Sequence, residues 1–371
     1  MSDTCPLTIG LNLPRLQSPS QAFHHWSPAS TSQKIPKDSG FVYISQNAAR
    51  YPASPLEPLF RSLYAENPSF DISSVDLVTD KNNLRKLLSF ISQKVDRSRC
   101  NGFCIDVEVE SNTGTVLFYR VEDQNSEVIG GNKFVWYGQE FRKAYAKNEI
   151  EGSTGHYRVV SYRFGGMNLL VMSQTDAYVG TDLSSDSTST GDDNEGSSDI
   201  PDMAASTAVQ KKPAPLPSQN PPHAASKYSG LLIKMEGRVV PITSTLEIRT
   251  CARHDLTKMK EITSPVWLSQ TGNLAIALHE DGVFDPPEVG AAAPAVEDFE
   301  EDNQVVLKRL AVLIKKIIEV VKENGQHFTI SYRQGANKLV ILKNLEGWNM
   351  LPHDLYCKFE ESSKRSRPEK E

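Results

Sequence analysis

The chain lacks any apolar run approaching a membrane span, and it lacks a cysteine framework. Five cysteines (Cys5, Cys100, Cys104, Cys251 and Cys357) are spread over 371 residues. An odd, scattered set excludes a disulfide scaffold and points to a reducing compartment, nuclear or cytoplasmic. Only Cys100 and Cys104 lie close together, and without a second ligand pair nearby they do not amount to a zinc site. The opening residues, MSDTCPLTIGLNLPRL, have neither a charged n-region nor a continuous apolar h-region, so neither export nor a membrane partner is expected. Also missing are G-x-S-x-G, P-loop and G-x-G-x-x-G motifs, which removes the commonest serine-hydrolase and nucleotide-binding signatures. No small-molecule cofactor is expected. The eight histidines are scattered, and His24-His25 sits in a polar stretch that reads as solvated.

Charge is mildly acidic, with 46 Asp and Glu against 40 Lys and Arg. The average hides a segregation. Residues 181–210 carry seven acids and no Lys or Arg, and the run EDFEED at 297–302 carries five more. Setting those twelve aside turns the net charge from −6 to +6, so the remainder is modestly basic.

Residues 1–40 are rich in Ser, Pro and Gln with little periodicity and read as irregular chain. From Ser74 to Val95, Leu77, Leu84, Leu87, Leu88 and Ile91 recur at helical spacing, with Asp80 and Lys81 near the start. FCIDVEVES and TGTVLFYRVE alternate apolar and polar across Asn-Thr-Gly, the pattern of a hairpin. EFRKAYAKN reads as a helix, and YRVVSYRFGGMNLLVM as two strands around Gly165-Gly166. Residues 181–227 hold no aromatic residue and are dense in Ser, Asp, Thr, Gly and then Pro. Such a segment cannot bury enough apolar surface to offset its ordering entropy, so a disordered insertion is expected there. Strand patterns resume with YSGLLIKMEGRVV and STLEIRT. A helix is expected around VWLSQTGNLAIALH, followed by an acidic loop from Asp285 to Asp302. The clearest helix is QVVLKRLAVLIKKIIEVVKEN, with Val306, Leu310, Leu313, Ile314, Ile317 and Val321 in one stripe. HFTISYR and KLVILKN form a closing hairpin, and 359–371 is a charged tail. The fold class is α/β (α+β), a single domain at 41–180 and 228–358 with a mixed sheet flanked by helices.

Two polar interruptions in apolar runs carry the chemistry: Gln174-Thr175-Asp176 inside LLVMSQTDAYV and Glu247-Ile248-Arg249 inside STLEIRTCA. Residues two apart on a strand share a face, so Gln174 with Asp176, and Glu247 with Arg249, can converge on one divalent ion. Phosphodiester cleavage commonly needs such carboxylates, because Mg²⁺ or Mn²⁺ prefers oxygen ligands. The competing reading is that Asp176 caps a strand end while Glu247 pairs with Arg249 on one sheet face.

The order of segments favours the first reading. SVDLVTDKNNLRKLLSFI, WYGQEFRKAY, YRVVSYRFGGMNLLVMSQTDAYV, LEIRT and VWLSQTGNLAIALHEDGVF together resemble the 5′-end RNA decapping exoribonucleases, closest to a divergent fungal branch. The resemblance spans Phe41 to Phe284 without the insertion. It implies a PD-(D/E)xK nuclease-like fold whose metal site is built from G-x-x-F-E, E-x-D and E-x-K segments. Gly138 and Phe141 fit the first, with Arg142 in place of the metal-site Glu. Asp176 is kept in the second, with Gln174 replacing a carboxylate. Glu247 is kept in the third, with Arg249 replacing Lys, an exchange that brings a bulkier, forked and permanently charged group. Trp267 and Gln270 resemble a later helix of the family, and Lys81, with Arg85 a turn on, lies where the family places an arginine near the RNA 5′ end.

The resemblance thus implies Asp176 and Glu247 as metal ligands, with Arg249 as the third catalytic position. It implies Lys81, Arg85, Arg142, Gln174 and Gln270 at the substrate, an RNA 5′ end. Since two carboxylates are gone and a cation has been added, Mg²⁺ or Mn²⁺ binding is expected to be weak or lost. The first expectation is a decapping-nuclease-like protein that binds RNA 5′ ends or a protein partner with little catalysis. An active metal-dependent decapping exonuclease is the second, and a structural interaction protein without a nucleic-acid role the third.

Overall fold

The run LLVM at Leu169–Met172 is apolar at every position, a pattern that requires burial on both faces of a strand. The computed structural model describes residues 24–92, 101–130, 136–150, 153–180, 224–225, 231–233 and 240–366, and it places that run inside a seven-stranded sheet.

The chain opens with β1 (His24–Trp26), β2 (Gln33–Lys34), β3 (Gly40–Tyr43), α1 (Gln46–Arg50) and α2 (Glu57–Glu66). Then come β4 (Leu77–Asp80), α3 (Lys81–Ile91), β5 (Phe103–Val109), β6 (Val116–Val121), β7 (Ser126–Ile129), α4 (Gly138–Tyr145) and β8 (Ala146–Asn148). The middle holds β9 (His156–Phe164), β10 (Met167–Thr175), β11 (Ala177–Tyr178), β12 (Ala224–Ala225), β13 (Leu232–Ile233) and β14 (Thr245–Ala252). The last part holds α5 (Met259–Ser269), β15 (Asn273–Glu280), β16 (Val283–Phe284), β17 (Glu288–Ala291), α6 (Ala293–Asn324), β18 (His327–Tyr332), β19 (Val340–Lys343) and α7 (His353–Ser366).

The seven-stranded sheet runs β19-β18-β5-β6-β4-β10-β9, with β4 parallel to both β6 and β10 and the other pairs antiparallel. Successive residues point to opposite sides. Leu77, Phe118, Leu169 and Val171 join one buried cluster with Leu84, Leu87, Trp267, Leu310 and Ile314 of α3, α5 and α6. Val78, Leu117 and Leu170 join another on the far side, with Leu59, Phe60 and Leu63 of α2 and Leu355 and Phe359 of α7. A second sheet runs β2-β16-β15-β14-β11-β1-β8, with β17 added alongside β15. Its own cluster sets Leu246, Ile248, Ala275 and Ala277 against Phe141 and Tyr145 of α4. β3 and β7 form a separate two-stranded ribbon. Among the described residues no helix is long and apolar enough to cross a membrane.

The mixed α+β class and both hairpins read from sequence are present. Other expectations differ. Leu77 lies on a strand, because pairing of β4 with β10 and β6 overrides the helical spacing; the helix starts at Lys81, with Asp80 Oδ1 accepting from Asn83 N at 2.8 Å as its N-cap. NLAIALH is β15, not helix: Ala275 and Ala277 are buried alternately, and alanine disguised that period of two. The expected acidic loop is mostly β17 and the start of α6, whose Pro294 sits in the first turn, where proline is tolerated. His24 and His25 are half-buried in β1, not solvated. The charged tail is helical to Ser366, with Phe359 and Ser362 buried. The expected insertion at 181–227, apart from β12, and Cys100 lie outside the described residues.

Candidate functional site

β10 leaves the seven-stranded sheet at Thr175, and β11 begins at Ala177 beside β14 of the other sheet, with Ala177 opposite Leu246. Asp176 is the residue at the crossing. Alternation is interrupted there: Gln174 is exposed, whereas both Thr175 and Asp176 are buried. The Asp176 carboxylate accepts from the Ile248 amide at 2.9 Å through Oδ2 and from Arg142 at 2.8 Å through Oδ1. Ile248 points into the apolar cluster of its sheet, and Glu247 and Arg249 share the opposite face, as their spacing predicts.

Glu247 is 2% exposed. Lys81 Nζ stands 3.3 Å from each of its oxygens, and Arg249 forms an ion pair with Oε1. Lys81 reaches this point because β4 runs parallel to β10 and ends beside it, Met172 standing opposite Asp80, so the first residue of α3 falls at the sheet crossing. Arg142 is delivered by α4. That helix has no capping side chain of its own; the buried Asp38 accepts the Gln139 and Glu140 amides at 2.9 and 3.0 Å and anchors its first turn. Sequence reasoning missed Asp38, which lies a hundred residues from the helix it caps.

Three cations therefore surround two carboxylates. Burial alone would push the Asp176 carboxyl up, but Arg142, then Arg249, the Ile248 amide and Lys81 outweigh it and hold its pKa below the ordinary value. The same Asp176 charge raises the Arg142 guanidinium pKa. Among the described residues no three His, Cys, Asp or Glu side chains gather where they could hold a metal.

An open cleft of about 700 Å³ lies against this group, lined by Arg142, Gln174 and Asp176 and, among others, by Phe41, Tyr43, Lys143 and Lys147. His24 also faces it; burial lowers its pKa, partly offset by Asp176. The structure brings Lys81, Arg142, Asp176, Glu247 and Arg249 together and sets Gln174 on the adjoining wall. Arg85 is exposed one turn on from Lys81, its Nε on Asn82 Oδ1 at 3.3 Å. Gln270 adopts φ 53° at the end of α5, and its Nε2 donates to Trp267 O at 2.6 Å, a bond within its own helix terminus.

Residues 16–359 match a family whose description is "Domain of unknown function (DUF8563)". No curated protein matches the chain by sequence. Among solved structures, Rai1 of S. pombe is similar at 11% identity and a TM-score of 0.52, over 88% of each chain. Scheffersomyces stipitis Rai1 in complex with (3'-NADP)+ and calcium ion is similar at 8% identity and 0.54, over 93% of this chain and 89% of that one. Candida albicans Rai1 in complex with pU5-Mn2+ is similar at 9% identity and 0.51, over 98% and 100%. At these identities the likeness is one of fold: the chain has the Rai1 fold, that of the decapping-nuclease family its segment order resembles.

Proposed function

We propose, for a chain that belongs to the family described as a domain of unknown function (DUF8563), a decapping-nuclease-like protein that binds RNA 5′ ends at a substituted metal site, with little or no catalysis. The observation that carries this reading is the engagement of both carboxylates. Asp176 is held by Arg142 and the Ile248 amide, and Glu247 by Lys81 and Arg249. A divalent ion needs several oxygen ligands at roughly 2.0–2.6 Å. Here it would have to displace fixed cations, and at an effective dielectric of about 20 a unit charge ~5 Å away costs it roughly 3 kcal/mol per elementary charge. The residues present do not fit Mg²⁺ or Mn²⁺.

The same cations suit a phosphate. Guanidinium groups present forked donors matched to phosphate oxygens, and Lys81 adds a point charge. Three cations against two carboxylates leave one positive charge in excess for an incoming anion. The Candida albicans Rai1 structure carries pU5, which supports a 5′-phosphorylated single strand as the ligand class here.

The test is binding of a 5′-phosphorylated oligoribonucleotide followed by anisotropy in EDTA and in Mn²⁺, with product analysis alongside. Binding in EDTA that weakens with salt, and no product in Mn²⁺, is the expected result. Restoring the family pattern with Arg142→Glu, Gln174→Glu and Arg249→Lys together should create Mn²⁺ binding measurable by calorimetry. Cleavage by the native chain that Asp176→Ala abolishes would overturn the reading.

A further inference from the structure

β3 is four residues long, pairs among the described residues with β7 alone, and carries Phe41 and Tyr43 two residues apart on one face. The two residues are 58% and 36% exposed, and both line the cleft that Arg142 and Asp176 also line. Single surface aromatics are ordinary and need no function. This pair differs in its order. The two rings meet edge to face, centroids 4.9 Å apart at 88°. The Arg50 guanidinium lies 5.3 Å from the Tyr43 centroid, and its Nη2 donates to Thr154 Oγ1 on the cleft wall at 2.9 Å. The end of the strand is anchored as well: the Ile44 and Ser45 amides donate to Asn125 O at 2.9 and 3.0 Å, and Arg120 donates to Ile44 O at 2.8 Å. The pair is thus fixed on the cleft wall by Arg50 and by the anchored end of the strand, with Lys143 and Lys147 lining the same cleft.

The geometry points to a stacking platform: Phe41 and Tyr43 take a base of a single-stranded RNA while Lys143 and Lys147, which line the same cleft, follow its backbone. The proposal rests on the preceding reading of the cleft as an RNA site and adds how the strand beyond its 5′ phosphate is gripped. Aromatic faces interleaved with cations accept any base, because every base has a π-face. The platform therefore gives affinity without sequence preference. A protein partner would leave the lysines unexplained unless it were acidic.

The experiment uses the full chain and 5′-phosphorylated pentaribonucleotides carrying 2-aminopurine at each position in turn, with an abasic strand of equal charge as control. Stacking quenches 2-aminopurine emission. The expected result is quenching at one or more positions and weaker binding of the abasic strand. Phe41→Ala and Tyr43→Ala should each relieve the quench and weaken the base-containing strand by roughly 5- to 100-fold, leaving the abasic strand unaffected. Phe41→Tyr should keep both effects. If an alanine variant misfolds, Phe41→Leu keeps the apolar volume without a ring and must give the same loss.

Binding that Arg142→Gln abolishes but neither alanine variant alters would overturn the platform and leave the 5′-end reading standing. No binding by the native chain would overturn both. Self-association of the native chain that Phe41→Ala abolishes, with unaltered RNA binding, would assign the face to a second copy and overturn the proposal.

Discussion

A carboxylate withdrawn from water beside a guanidinium is stable only while both charges remain. Asp176 is buried and Arg142 is about one-third exposed, so the two partners are not equivalent. Arg142→Gln strands a buried charge and should cost about 3 kcal/mol. Asp176→Asn keeps an acceptor for the Ile248 amide and lets Arg142 turn to water, so it should cost only about 1–2 kcal/mol. Urea midpoints of the two variants compare them directly. His156, 1% exposed at the start of β9, adds a separate pH response. Burial, reinforced by Arg158, lowers its pKa to about 3, so the folded chain refuses a proton that the unfolded chain takes up below about 6.5. Stability should fall as pH drops through that window, by up to about 1.4 kcal/mol per unit, and His156→Gln should flatten the limb between pH 6.5 and 4. Asp176 acts lower down. Its depressed pKa contributes stability that is present above its ordinary value of about 3.9 and is lost as pH falls through its folded value, whatever residue 156 is.

At the scale of elements, the turn between β9 and β10 shows how closely a hairpin can approach a helix. A Cβ on Gly165, where φ is 57°, would meet the Ala311 Cβ of α6 at 2.4 Å, whereas at Gly166, where φ is 83°, it would meet only the tip of Lys315 at 3.6 Å. Gly166→Ala should therefore cost about 1 kcal/mol for backbone conformation alone. Gly165→Ala should cost about 2–4 kcal/mol, because α6 must shift as well. Thermal denaturation will separate the two. That hairpin was legible in advance, since Gly-Gly between two β-rich runs admits little else. β4 and β15 were not: β4 has four residues and its partner β10 lies far away in sequence, while the alanines of β15 hid its alternation. The candidate site was half legible. Period-two spacing put Glu247 and Arg249 on one face, and the resemblance pointed to Lys81 and Arg142. The crossing at Asp176 and the remote cap by Asp38 are tertiary facts without a local signature, and Gln270 is occupied with its own helix terminus.

On the scale of the whole molecule, the seven-stranded sheet is closed on one side by the last helix. Glu108 of β5 accepts from the Met350 amide at 2.8 Å and from the Tyr356 hydroxyl at 2.6 Å, and Arg61 of α2 pairs with Asp354. Burial raises the Glu108 pKa despite those bonds, a sign of how dry the contact is. Phe359→Ala should cost about 3–5 kcal/mol, and ending the chain after Asn349 would remove Leu351, Leu355 and Phe359 together and uncover Phe60, Leu63 and Leu117, which they cover. A domain of ordinary stability, about 5–15 kcal/mol, has little margin for that loss. The truncated chain should be recovered in the insoluble fraction, whereas Lys364→Ala should be indistinguishable from the native chain in a melting curve. The charges at the sheet crossing restrict the neighbourhood of this chain in sequence space. Arg142→Glu alone would set a second carboxylate against Asp176 with no ion between them, and Gln174→Glu alone would leave the Arg142 guanidinium in an ion's way. Neither step taken singly assembles oxygen ligands clear of a guanidinium or of an unpaired second carboxylate. An oxygen-rich cluster at this crossing therefore requires several changes at once rather than one residue at a time.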